Sequence, residues 1–255
     1  MRLSACIEWL FAEATDDFSE RIRLARAAGL DAVEFWRWSN KDIDAIATTL
    51  AETGMPLGAM VAEPLGGLTD PANHDAVLAG LRESIVVAQR LGAPVLIAQV
   101  GNEIAGVSRA AQHEAIVTCL TAMAGELAGT GIRLGVEPLN TLVDHKGYFL
   151  SSTEEALDIV DEVGRPEIGV VYDLYHSAVM GESSEAVLAG RVGHVVHLHV
   201  ADHPGRNEPG SGEIDLAGRL AWIFAQGYAG RVGLEYRPTR PTSERLAGVR
   251  AALEG

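Results

Sequence analysis

The sequence of 255 residues predicts a single (β/α)8 barrel of the α/β class, one domain over residues 1–255. Three observations predict it. Short apolar runs alternate with longer runs of helical period, eight of each, so a unit takes about 32 residues. The short runs are apolar almost throughout, as parallel strands covered on both faces must be. The turn after the first run, Glu8-Trp9-Leu10-Phe11, holds no glycine, whereas a doubly wound open sheet usually opens on a glycine-rich turn.

Each element has its own signal. Strands are expected at Leu3–Ile7, Ala32–Phe35, Pro56–Met60, Val95–Val100, Arg133–Glu137, Ile168–Tyr172, Val195–Val200 and Val232–Tyr236. Helices are expected at Asp17–Ala28, Lys41–Thr53, Asn73–Leu91, Arg109–Ala128, Thr153–Val163, Ser184–Ala189, Leu216–Gln226 and Ser243–Leu253. A capping box at Ser152 opens the fifth helix, and Gly29, Gly54, Gly92, Gly131 and Gly164 close helices before strands.

Composition narrows the function. Lys and Arg number 20 against 35 Asp and Glu, a net charge of −15, and Lys41 and Lys146 are the only lysines. Such a chain repels a phosphate backbone, so no nucleic-acid partner is expected. Cys6 and Cys119 stand far apart in apolar segments and read as buried thiols of a reducing, cytoplasmic protein. The apolar run near the N-terminus is short and broken by Glu8, so it reads as a strand rather than a leader; no stretch is long enough for a membrane span.

In a barrel of this kind the chemistry lies at the C-terminal ends of the strands. The polar residues there are Glu34, Gln99, Glu137, Asp173, His197, His199 and Glu235. A carboxylate in an apolar strand is costly to bury unless it is paired or holds a cation. Glu137, Asp173, His199 and Glu235 come from four consecutive strands, and neighbouring strands are about 4.8 Å apart, so the four side chains can converge. Three carboxylates and an imidazole make a hard ligand set for one divalent metal ion, Mn²⁺, Mg²⁺ or Co²⁺, with Zn²⁺ a lesser fit. His197 reads as a core or supporting histidine.

Several segments together resemble the hydroxypyruvate isomerase family, one of the xylose isomerase-like barrels. They are Val136-Glu137-Pro138-Leu139-Asn140, Tyr172-Asp173-Leu174-Tyr175-His176, the run from His197 to Arg206, Glu208-Pro209-Gly210-Ser211-Gly212-Glu213-Ile214, and Gly233-Leu234-Glu235-Tyr236-Arg237-Pro238. The resemblance implies that Glu137 and Glu235 bind metal and act as acid and base. It implies that Asp173 and His199 complete the ligands, and that His176 and Arg206 bind substrate. The simpler accounts are that His176 caps a loop and Arg206 pairs with Glu208. Trp9 and Phe11 fit either the pocket wall or the core, and the segment Val61–Asp70 looks shorter than the family loop that helps form the pocket wall.

The implied activity is an aldose–ketose or keto-acid isomerisation through an enediol on a small, unphosphorylated substrate. The family often has Gln where His199 stands, and histidine there resembles the ketose 3-epimerases, so epimerisation remains the alternative. A Schiff-base aldolase has no strand lysine to use. Prolines 238 and 241 remove backbone donors from the loop that binds phosphate in many barrels. An endonuclease IV-like enzyme would need a histidine-rich multi-zinc site and a basic face, and a non-catalytic sugar-binding barrel would not need both glutamates. The reading leaves room for a homo-oligomer.

Overall fold

The computed structural model describes residues 1–255. The elements are β1 (Leu3–Cys6), α1 (Phe18–Ala27), β2 (Ala32–Phe35), α2 (Ile43–Thr53), β3 (Leu57–Val61), α3 (His74–Leu91), β4 (Val95–Ala98) and α4 (Arg109–Leu127). The second half of the chain adds β5 (Arg133–Val136), α5 (Thr153–Val163), β6 (Ile168–Asp173), α6 (Leu174–Val179), α7 (Ser184–Val187), β7 (Val195–Val200), α8 (Leu216–Ala225), β8 (Val232–Leu234) and α9 (Thr242–Glu254). The strands pair in parallel in chain order, and β8 pairs back on β1, Leu3 opposite Val232, so the barrel closes. This is the predicted (β/α)8 barrel.

The differences from expectation have local causes. The helix α6 was not expected, because six residues, Leu-Tyr-His-Ser-Ala-Val, are too few to show a period. Strand β6 runs one residue further than expected, to Asp173, which then caps α6 by accepting from the backbone N–H of Tyr175 and His176. Strands β5 and β8 stop at Val136 and Leu234, so Glu137 and Glu235 sit just beyond the ladder. Helix α7 ends at Val187 rather than Ala189, and α4 ends at Leu127, well before Gly131. Ser152 does cap α5, accepting from the N–H of Glu155, but the Glu155 carboxylate pairs with Arg109 rather than closing the reciprocal half of the capping box.

The apolar core fills the space between barrel and helices, with Ile22, Leu81, Ile116, Leu120, Leu157 and Leu220 all buried. Each such side chain contributes roughly 1.5–3 kcal/mol by leaving water. The barrel interior is different. Ser4, Glu34, His197 and His199 are buried inside it as a polar group. Gly233 makes the space: a Cβ there would stand 2.6 Å from Cδ2 of His199 and 2.9 Å from both Glu34 carboxylate oxygens. No helix is long and apolar enough to cross a membrane. Cys6 and Cys119 are buried and unpaired, and burial pushes the Cys119 thiol up to about 12.

Candidate active site

A cavity of about 290 Å³ opens at the C-terminal end of the barrel. Glu137, His199 and Glu235 form its floor, and Trp9, Trp36, His176, Arg206 and Arg237 stand among its walls. Val61 and Leu65 line it too, so the segment after β3 does form part of the wall. Phe11 does not. It is buried at a backbone φ of 64°, its N–H donating to the Thr242 hydroxyl, and it belongs to the core.

The structure brings together Glu137, Asp173, His199 and Glu235. One donor atom from each lies within 4.8 Å of the other three. Nδ1 of His199 is 3.0 Å from Oε1 of Glu137 and 3.8 Å from Oε2 of Glu235. Burial opposes charge on His199, but the carboxylates of Glu235, Glu137 and Glu34 outweigh it and hold the imidazole protonated well above its usual range. Burial also opposes charge on Glu235, and His199 and Arg206 outweigh it and keep that carboxyl low. Asp173 is the opposite case, with burial pushing its carboxyl up.

These residues fit a divalent cation on their own chemistry. Oδ1 of Asp173 is used in capping α6, but Oδ2 is buried with no hydrogen-bond partner. A buried oxygen of that kind is costly unless something positive reaches it. The nearest cation of the protein, Nη2 of Arg206, is 3.8 Å away. Oxygen-rich donors from three carboxylates suit a hard ion.

Several residues that set this geometry were missed by sequence reasoning or left without a role. Trp36 donates its indole N–H to Oε1 of Glu235 at 2.7 Å. Oε2 of Glu34 lies 3.0 Å from Nε2 of His199, Oε1 lies 2.9 Å from Nε2 of His197, and the Ser4 hydroxyl donates to the same carboxylate. Tyr148 donates to the carbonyl of Glu137 at 3.1 Å and accepts from the N–H of Val100, tying β5 to β4 at the site.

His176 does more than cap a loop. Its Nδ1 accepts from the backbone N–H of Asn140 at 3.2 Å, and the Asn140 side chain is 2.7 Å away. A backbone donor fixes the tautomer, so the ring proton is on Nε2. That Nε2–H is buried, has no partner, and faces the cavity 3.6 Å from Oδ2 of Asp173. Burial, helped by the nearby Arg206, lowers its pKa to about 3, so the ring is neutral.

Arg206 does not pair with Glu208. Its Nη2 donates to Oε2 of Glu235 at 2.6 Å, and its Nε is buried without a partner. Glu208 binds Thr239 and Arg245 instead. The backbone at Arg206 has a φ of 55°, sparsely populated for a residue with a Cβ. The loop that carries it is held by Asp202, whose carboxylate accepts from the N–H groups of Gly210, Gly212 and Ile214.

The family model described as a xylose isomerase-like TIM barrel matches residues 22–254. Hydroxypyruvate isomerase of Escherichia coli K12 is 33% identical over 260 residues, 98% of this chain and 97% of that protein. The 2-oxo-tetronate isomerase of Pectobacterium atrosepticum is 24% identical over 99% of this chain and 98% of that protein. A crystal structure from Brucella melitensis, titled AP endonuclease, family 2, superposes with a TM-score of 0.90 at 30% identity, covering 98% of both chains. The barrel that converges four acidic and imidazole side chains at its mouth thus matches over nearly its whole length, and this chain belongs to the xylose isomerase-like TIM barrel family.

Proposed function

We propose that this chain is a metal-dependent isomerase of small, unphosphorylated keto acids or sugars, of the hydroxypyruvate isomerase type. It would interconvert hydroxypyruvate and tartronate semialdehyde, or a related aldose–ketose pair, through an enediol. The observation that carries the reading is the meeting of Glu137, Asp173, His199 and Glu235 within 4.8 Å, three of them on the floor of a cavity sized for a small molecule. The activity named for the Escherichia coli relative supports it.

One divalent cation, with Mn²⁺, Mg²⁺ or Co²⁺ ahead of Zn²⁺ on donor hardness, would be held by these four residues and would stabilise charge developing on the substrate oxygens. The protein's own groups do the rest. One of Glu137 and Glu235 takes the proton from C3 of hydroxypyruvate, and a proton is returned at C2. The hydroxyl proton passes from O3 to O2, so the atoms balance with no co-reactant. The neutral His176 offers Nε2–H, and Arg206 offers Nε–H, as two buried donors for substrate oxygens. Trp9 and Trp36 pack edge to face at 5.0 Å and keep water from that wall.

Ketose 3-epimerisation is the second reading, favoured by the imidazole at position 199. It would use the same glutamates to remove and return a proton at one carbon. Nucleic acid is disfavoured by the net charge of −15 and the acidic cavity floor. The test is NMR identification of the products formed from a panel of small keto acids and ketoses, with and without Mn²⁺. Tartronate semialdehyde from hydroxypyruvate, lost on chelation, is expected. Turnover of ketoses only, to their C3 epimers, would overturn the first reading in favour of the second.

A further inference from the structure

The geometry points to Arg237 as the residue that selects substrates carrying a carboxylate. This deepens the isomerase reading and rests on it. Three guanidinium groups line the cavity, those of Arg37, Arg206 and Arg237. Two are committed. Arg37 holds Oε2 of Glu63 through two nitrogens at 3.0 and 3.3 Å. Arg206 holds Glu235 at 2.6 Å. The guanidinium of Arg237 has no carboxylate and no hydrogen-bond partner in the protein.

Its backbone is nevertheless fixed. The backbone N–H of Arg237 donates to the carbonyl of Arg206 at 2.8 Å, and its own carbonyl accepts from the Asn207 side chain at 2.9 Å. Its guanidinium lies 5.2 Å from the Trp9 ring, against which Arg206 also lies at 5.0 Å. Trp9 therefore presents one engaged arginine towards Glu235 and one free arginine along the same wall. The residue is exposed to solvent at the cavity rim, so its guanidinium is free to meet an anion that enters over the acidic floor.

A three-carbon 2-keto acid fits this polarity. Its carbonyl and hydroxyl go to the floor, where Glu137 and Glu235 work, and its carboxylate goes to Arg237. The planar fork of arginine can grip a carboxylate through two parallel hydrogen bonds, which a neutral hydroxymethyl group cannot reproduce.

Hydroxypyruvate and dihydroxyacetone differ only in that one end, carboxylate against hydroxymethyl, so they form the test pair. In Arg237→Gln the ratio of kcat/KM for hydroxypyruvate to that for dihydroxyacetone should fall by roughly 10- to 100-fold, mostly through KM, as expected for losing a charge-assisted contact. Arg237→Lys should recover part of the ratio. Calorimetric binding of D-glycerate, which carries the carboxylate but is not turned over, should weaken in the same order. An unchanged ratio together with unchanged glycerate affinity overturns the inference. A larger loss on dihydroxyacetone phosphate than on hydroxypyruvate also overturns it, by making Arg237 a phosphate group's partner. If the wild type turns over neither ketose nor keto acid, the isomerase reading falls, and the glycerate measurement still decides Arg237.

Discussion

Oε2 of Glu34 stands 3.0 Å from Nε2 of His199, on the opposite edge of the ring from the Nδ1 that faces Glu137 and Glu235. A carboxylate at that position keeps a proton on Nε2, so that a cation arriving among the carboxylates would displace the other proton and take Nδ1 as its ligand. Glu34 comes from β2 and His199 from β7, so the barrel itself enforces the pairing. Glu34→Ala should weaken divalent-metal affinity by about 10- to 100-fold, the usual scale for losing such a supporting partner, and Glu34→Gln should do so less. Competition with a chromophoric chelator measures it. Affinities equal to wild type in both folded variants would reduce Glu34 to a packing role.

Arg206 lines the cavity, with Nη2 on Glu235 and Nε buried without a partner, and on the proposed function it would also hold the substrate. Lysine supplies one compact charge and cannot serve both directions at once. Arg206→Lys should raise KM and lower kcat, each by at least about tenfold, since a charge-assisted hydrogen bond is lost on each side. Steady-state kinetics decide it. Unchanged constants would show that neither contact matters to turnover.

The barrel was legible because strand and helix periods differ and recur at a near-constant interval. The four clustered residues were legible because a carboxylate or imidazole in an apolar strand stands out and barrel strands point their ends at one place. Partnerships across distance could not be read. Trp36 reaches Glu235 across 199 positions, and nothing in a tryptophan after an apolar run announces an indole donor aimed at a glutamate. In the sequence Arg237 is only a member of a proline-containing loop, since its lack of a partner is a property of space. The helix α6 left one usable signal, Asp173 itself, a strand-end aspartate in position to cap a helix that starts at the next residue. The role of Glu34 was within reach as a strand-end carboxylate, but its orientation towards His199 and His197 was not.

Glu208 gives a stability prediction with a pH sign. Its carboxylate is buried and accepts from the N–H and hydroxyl of Thr239 and from Arg245. Burial opposes its ionisation, but these donors outweigh it and hold the carboxyl below its ordinary range. A folded-state pKa lowered in this way gives stability that is full above the unfolded value of about 4.3 and is lost as the pH falls through the folded value. Glu208→Gln should therefore cost about 1–3 kcal/mol at neutral pH. The gap from wild type should narrow as the pH drops below about 4. Denaturant melts at several pH values check this, and a gap that widens in acid would contradict the assignment.

The last prediction concerns which groups move the proton. Glu137 and Glu235 lie just past β5 and β8, and their carboxylates meet in one cluster on the cavity floor, so both can reach a small substrate held there. His199 and Arg206 keep Glu235 ionised against the cost of burial, which is the state a base requires. Replacing either glutamate by Gln keeps the shape and a ligand oxygen but removes the base. Turnover should fall by at least roughly 10²-fold in each variant, the scale for losing a positioned base. Metal content must be measured alongside, because a variant that has lost its cation would lose activity for another reason. Solvent deuterium separates the routes. An enediol path through these carboxylates incorporates label at the reacting carbon, even at low conversion. Complete retention of the substrate hydrogen, with metal-loaded Glu137→Gln and Glu235→Gln still active, would assign the transfer to a hydride shift and leave the two glutamates as ligands alone.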